Sequence, residues 1–303
     1  MKHNTNNKGF TLIELLVVMS IIALLLSILM PALGRARAEA MLTKDSTQVK
    51  AINTGFNMWT PSHNGRFPTP GLEARDSNSG TFYRGRGPEA LIDNNHQNML
   101  SMCIMQNLFD SDIVIAPTEQ GEFVFAIEGY NYNIYDPTPP SSQENWSLWD
   151  KDFVNNLESG SNNSYGIMPL TGKRKQQNWC VSTNSPTTFA VIGTRGPEEG
   201  EADKYSKSNL FHGIESDWKG TISFNDGHNE ILETFHPIAT TYLDTGGSPL
   251  ADNIFLEETD QAVDDDYMPN GITGGEGADV FLTHVDEVGD LGKGGNVTNF
   301  THD

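Results

Sequence analysis

The sequence predicts an α+β protein: a long N-terminal transmembrane helix packed on an antiparallel β-sheet, with loop-rich insertions. Three observations predict it. A nearly unbroken apolar run from Leu12 to Leu33 passes into a helical pattern that reaches Trp59. Two β-prone runs, Gly220 to Asn225 and His228 to Glu233, flank Asp226-Gly227. From Gly246 onward the composition shifts to Gly, Asp and Glu, with Lys293 the only Lys or Arg.

Taken in order, residues 1–9 form a short basic leader with Lys2 and Lys8, and residues 10–33 form the apolar segment. Only Glu14, Ser20 and Ser27 interrupt the run from Leu12 to Leu33, which meets the roughly 20 residues needed to cross a bilayer core of about 30 Å. A carboxylate at the start of such a run is costly in lipid and is a functional candidate whose partner has to be named. If the chain is cut between Gly9 and Phe10, the new α-amino group of Phe10 lies one helical turn from Glu14, at i, i+4 spacing. That amine, or the same amine of a neighbouring subunit, would neutralise Glu14. Two plainer readings compete: a removed secretory signal with a small-residue site at Ala36-Arg37-Ala38, and a simple membrane anchor. Lys2 and Lys8 before the run are matched by Arg35 and Arg37 after it, so charge does not set the orientation.

Residues 34–61 continue the helix with an apolar stripe through Leu42, Val49, Ile52, Phe56 and Trp59, and Pro61 closes it. A helix from Thr11 to Trp59 is about 70 Å long, and Pro31 is expected to kink or locally melt it. Residues 62–245 read as one α+β domain. Asn64-Gly65 and Phe67-Pro68 break the helix, residues 69–90 read as loop, and Ala90 to Phe109 regains helical character. Strands are expected at Ile113–Ala116, Glu122–Ile127, Tyr130–Tyr135 and Thr187–Gly193, and mostly loop at 136–180. Asp226-Gly227 between β-prone runs predicts a hairpin closed by a type I′ turn. Residues 246–303 read as an acidic, Gly-rich extension.

Composition narrows the function. With 40 acidic against 19 basic residues the net charge is -21, which argues against a nucleic-acid surface. The two cysteines, Cys103 and Cys180, are too few for a disulfide scaffold, although an exported domain would allow one bridge between them. His212, Asp226, His228 and His236 could be assembled into a metal or acid–base site, but their spacing matches no metal motif, and a turn explains Asp226 better. No nucleophile elbow or phosphate-binding loop is present, so an enzyme is not expected. Trp146, Trp149, Trp179 and Trp218 would form either a carbohydrate-stacking surface or, the plainer reading, packing. Acidic residues in the tail, including Asp244, Asp252, Asp260, Asp264, Asp265 and Asp266, are candidate Ca²⁺ ligands, and the alternative is a solvated acidic tail.

The stretch Lys8-Gly9-Phe10-Thr11-Leu12-Ile13-Glu14, with the apolar run behind it and a proline in its second half, resembles the N-terminus of type IV pilins and type II secretion pseudopilins. The resemblance covers residues 8 to about 40. It implies a pilin-like fold, cleavage after Gly9 by a prepilin peptidase, methylation of Phe10, and a role for Glu14 in docking subunits into a filament. It also implies a non-catalytic subunit held in the lipid bilayer of the bacterial inner membrane by a single pass. Its partners would be other pilin or pseudopilin subunits and an inner-membrane assembly platform, and its body would lie in the periplasm or an extracellular filament. The resemblance adds to the Ca²⁺ reading of the acidic tail, since related pseudopilins hold Ca²⁺ in a C-terminal loop. An adhesive or motility pilin, and a membrane-tethered glycan-binding or hydrolytic protein, are the alternatives. A second similarity rests on Asn64-Gly65-Arg66-Phe67-Pro68, Ala116-Pro117-Thr118, Gly129-Tyr130-Asn131-Tyr132-Asn133, and His212-Gly213 followed by Phe224-Asn225-Asp226-Gly227-His228. These are similar to the prepilin-type proteins with a His-x9-Asp-Gly signature. Here thirteen residues separate His212 from Asp226, and Ala116 stands where members often have Cys.

Overall fold

The computed structural model describes residues 11–75, 87–134, 148–181, 189–201, 205–213, 217–243, 249–256, 280–289 and 296–301. Helix α1 (Leu12–Trp59) is 48 residues long, and the chain divides into two units within it, Met1–Thr43 and Lys44–Asp303.

In the first unit the large apolar side chains from Leu12 to Leu33 are all exposed. The two serines of the run hide their polarity locally: Ser20 Oγ donates to the Val17 carbonyl at 2.8 Å and Ser27 Oγ to the Leu24 carbonyl at 2.7 Å. The helix is long and apolar enough to cross a membrane. Local melting at Pro31 does not occur, because α1 continues through it. One missing donor is absorbed where Leu, Met and Ala, all good helix formers, stand on both sides.

In the second unit the end of α1 supplies the core stripe, with Val49, Ile52 and Phe56 fully buried and Trp59 nearly so. A 3-10 turn at Thr60–Ser62 follows, then Asn64 and Gly65 at φ 56° and 77°, which reverse the chain. The expected loop at 69–90 contains the one-turn helix α2 (Pro70–Glu73). The helix expected from Ala90 to Phe109 is shorter: a 3-10 turn at Leu91–Asp93 and then α3 (His96–Met105), capped by Asn95, whose side chain accepts from the Asn98 N–H. The three strands expected between 113 and 135 do not form. Ser111–Val114 and Tyr132–Ile134 are 3-10 turns, and between them only Val124 makes an isolated bridge, to Ser161. Pro117, Gly121 and Gly129 punctuate this stretch, and Phe123 and Phe125 stay exposed, so no buried face holds a ladder in register.

The insertion expected to be mostly loop carries β1 (Asn155–Asn156), β2 (Gly160–Ser161), β3 (Tyr165–Ile167) and α4 (Gly172–Asn178). The main sheet adds β4 (Ala190–Thr194) and, after the one-turn helix α5 (Asn209–His212), β5 (Gly220–Phe224) and β6 (Asn229–Leu232), in the antiparallel order β3-β4-β5-β6. Every residue of β4 and β5 is buried. Gly193 permits their close approach, since a Cβ there would lie 2.3 Å from Ile222 Cδ1. The predicted hairpin is present with a different turn. Gly227 alone takes positive φ, 87°, and its N–H reaches the Phe224 carbonyl while the Phe224 N–H reaches that of His228. That is a three-residue loop closed by a left-handed glycine, where a type I′ turn would need two positive φ values.

Two further hairpins follow: β7 (Thr241–Leu243) with β8 (Pro249–Ala251), and β9 (His284–Gly289) with β10 (Asn296–Thr301). The described part of the acidic extension belongs to the body. Val280 and Leu282 lie in the main core, and Thr283 bridges Ile167 of β3. The core centres on Phe56, Phe67 and Trp179, with ring centroids 5.4 to 6.0 Å apart, and Trp179 Nε1 donates to the Pro68 carbonyl at 2.8 Å.

Candidate functional site

At the N-terminus the backbone sets the geometry of Glu14. Thr11 is the residue before α1, and its Oγ1 accepts from the Glu14 N–H at 3.2 Å. Glu14 Oε2 accepts in return from the Thr11 N–H at 2.9 Å and the Thr11 hydroxyl at 2.8 Å. This reciprocal pairing is a capping box. Its second oxygen, Oε1, makes no hydrogen bond among the described residues, so the carboxylate retains an acceptor for an amine. Gly9 and Phe10 lie outside the described residues.

His212, Asp226 and Gly227 are not brought together. Asp226 and Gly227 form the β5–β6 turn, where Asp226 Oδ1 accepts from the His228 N–H at 3.0 Å and contacts the His228 ring, itself stacked on Phe224. His212 faces Asp45 instead: its Nε2 lies 3.2 Å from Asp45 Oδ2, close enough for an ion pair but off the line of a hydrogen bond. Asp45 is fully buried and accepts from the Tyr165 hydroxyl and the Thr194 hydroxyl, each at 2.9 Å. Burial and the Asp45 charge push the Tyr165 hydroxyl well above its usual range. Close by, Arg195 and Glu119 form a bidentate pair at 2.6 and 3.0 Å, with the guanidinium over the Phe211 ring. These side chains are closed to substrate, and they join α1, β3, β4 and α5.

The Asp45 network was missed at the sequence level, yet a signal was present. Leu42, Val49, Ile52, Phe56 and Trp59 step by three or four except for one gap, and Asp45 fills it. A carboxylate inside an apolar stripe is a buried charge in want of partners.

The remaining candidates resolve as follows. Cys103 and Cys180 are both free, so the bridge that export would allow is not formed: Cys103 is buried on α3 among core residues, with Sγ 3.9 Å from Met99 Sδ, and Cys180 pairs through its backbone with Arg66. Trp149, Trp179 and Trp218 are buried, so they form no stacking surface, and Trp146 lies outside the described residues. Asp252 is buried and its Oδ2 accepts from the Val280 N–H at 2.8 Å. Asp244, Asp260, Asp264, Asp265 and Asp266 lie outside the described residues, and among the described ones no three His, Cys, Asp or Glu converge as metal ligands.

Two ring nitrogens define one more buried site. His96 donates through Nε2 to the Met168 carbonyl at 3.1 Å and accepts at Nδ1 from the Val285 N–H at 3.0 Å, which ties α3 to β9. Burial pushes its pKa down to about 3, so it stays neutral.

Comparison with known proteins bears on the N-terminus. No curated protein and no solved structure matches the chain. A family model described as a prokaryotic N-terminal methylation motif matches residues 4–30. With this motif on a long apolar helix, and an α+β body with antiparallel sheets, the chain fits a type IV pilin-like protein.

Proposed function

We propose that the chain is a non-catalytic structural subunit, a pseudopilin of a type II secretion-like or type IV pilus-like filament assembled at the bacterial inner membrane. The observation that carries this reading is the methylation motif at residues 4–30, set on a helix whose apolar side chains from Leu12 to Leu33 have no cover of their own. Such a surface needs lipid before assembly and neighbouring helices after it. Glu14 supports the same reading, because its carboxylate caps the helix with one oxygen and keeps the other available, among the described residues, for an amine at the start of an apolar run. A prepilin peptidase would cut after Gly9 at the cytoplasmic face, the methylated Phe10 would start the mature chain, and the body would stand in the periplasm.

N-terminal mass spectrometry of the mature protein tests the processing step: a methylated Phe10 is expected, and a start near Ala38 or Ala40 would mark an ordinary secreted protein. Electron microscopy of cells overexpressing the chain, with identification of co-purifying subunits, tests the assembly. A short mixed complex supports the secretion reading, and long homopolymers favour an adhesive or motility pilin.

A further inference from the structure

The body carries a cleft that the filament role does not use. It is about 760 Å³ in volume and lies between the turn that ends α1 and helix α4. At one side the His63 ring stacks on Trp59, with centroids 4.0 Å apart and planes 13° from parallel. The cleft's two carboxylates are already engaged: Glu73 lies 3.1 Å from His63 Nε2, and Glu89 takes Lys175 Nζ at 2.5 Å and the Asn94 amide at 2.7 Å.

Its two arginines have no carboxylate partner among the described residues. Arg66 makes no ion pair or side-chain hydrogen bond among the described residues, and Arg75 makes one bond, from Nε to the Leu72 carbonyl at 3.0 Å. Both are half-buried. In a chain with 40 carboxylates and 19 Lys and Arg, cations are scarce, so two half-buried guanidiniums on one cleft with no carboxylate partner among the described residues leave a place for an outside anion. The position of Arg66 follows from the Asn64-Gly65 turn. Positive φ at both residues lays Arg66 against Cys180 in a bridge, Phe67 enters the core, and the neighbouring Arg66 side chain lines the cleft. The Asn64-Gly65-Arg66-Phe67-Pro68 segment thereby gains a use beyond ending the helix.

We propose that this cleft binds an acidic oligosaccharide of about two to three sugar units, its carboxylates held by Arg66 and Arg75. A guanidinium fork matches a carboxylate with two parallel bonds. The Asn64 and Gln176 amides on the same cleft each offer a donor and an acceptor, which hydroxyl groups require. Leu72 and Leu91 offer apolar patches for the carbon faces of the rings. A peptide adding a strand is disfavoured, because the backbone of Arg66 is already paired with Cys180. The proposal rests on the body alone and stands apart from the filament reading.

Isothermal titration of the full chain in detergent micelles tests it, with trigalacturonate as the probe and maltotriose and triglutamate as controls. Trigalacturonate is expected to bind about tenfold or more tightly than either control, and to weaken as salt is raised. Arg66→Gln and Arg75→Gln are each expected to weaken it by about tenfold with an unchanged thermal midpoint, and Arg66→Lys to fall between. Absence of trigalacturonate binding, equal binding of maltotriose, a preference for triglutamate, or binding indifferent to both glutamine variants would overturn the proposal.

Discussion

Single residues set the chemistry of this molecule at three places. Replacing Glu14 with Leu removes a carboxylate from an apolar run, so membrane insertion is expected to persist or improve while incorporation into filaments is lost; membrane fractionation and co-purification of partner subunits read the two effects separately. Asp45 is different, since its role is internal. Asp45→Asn replaces one of the two oxygens that accept from the Tyr165 and Thr194 hydroxyls with an amide donor, and the expected loss is about 1–3 kcal/mol in denaturant unfolding, as for a buried group left without its partner. His96 contributes to the acid response. Unfolded, it takes up a proton below about pH 6.5; folded, burial delays protonation to about pH 3. Between those values the unfolded state binds the additional proton, so the His96 contribution falls as pH falls. Asp93, raised to about 6 by burial, pushes the other way over part of that range, so the test has to isolate His96. Relative to wild type, His96→Gln is expected to gain about 1.4 kcal/mol for each pH unit below about 6.5, measured by unfolding at a series of pH values.

At the scale of elements, what could be read in advance depended on how local the cause was. α1 and the β5–β6 hairpin were legible because a helical stripe and an Asp-Gly turn are written in neighbouring residues. The turn type was not, since Asn225 joins the loop only through the cross-strand pairing of Ser223 with Asn229. The strands expected between 113 and 135 failed for a related reason: apolar runs promise a ladder, but the one strand that meets them, the two-residue β2, gives Val124 no more than an isolated bridge at Ser161. β1 to β3 were hidden by the Asn and Ser content of their segment, whose side chains are satisfied inside the fold, as when Asn163 bonds Asn155 and the Tyr165 carbonyl. Glu14 could be named as a site from its apolar surroundings, whereas the meeting of His212 with Asp45 spans the fold and has no local mark. Two substitutions probe elements directly. Gly227→Ala is expected to cost about 1–2 kcal/mol by placing a Cβ at positive φ in the hairpin, and Trp179→Ala about 3–5 kcal/mol by opening the core beside Phe56 and Phe67. Chemical denaturation measures both.

For the whole molecule, the exposed apolar run predicts that the full chain stays monodisperse in detergent and aggregates when it is withdrawn, a contrast that light scattering reads. The Asp45 network has a further consequence, in the order of events during synthesis. The apolar run is complete once Leu33 has been made, but Asp45 then waits for Tyr165, Thr194 and finally His212, and His96 waits for Val285 near the end of the chain. Most of the contacts that close the body join residues far apart in the chain, so they come late by necessity. The growing chain therefore presents a finished membrane segment long before it has a finished body, with an unpartnered carboxylate on the helix between them. Chains truncated before His212 are expected to be digested readily by protease, and those that extend through Thr301, once released from the ribosome, to resist. The segment that enters the bilayer is ready first, and the residues of β9 decide when the body can shut.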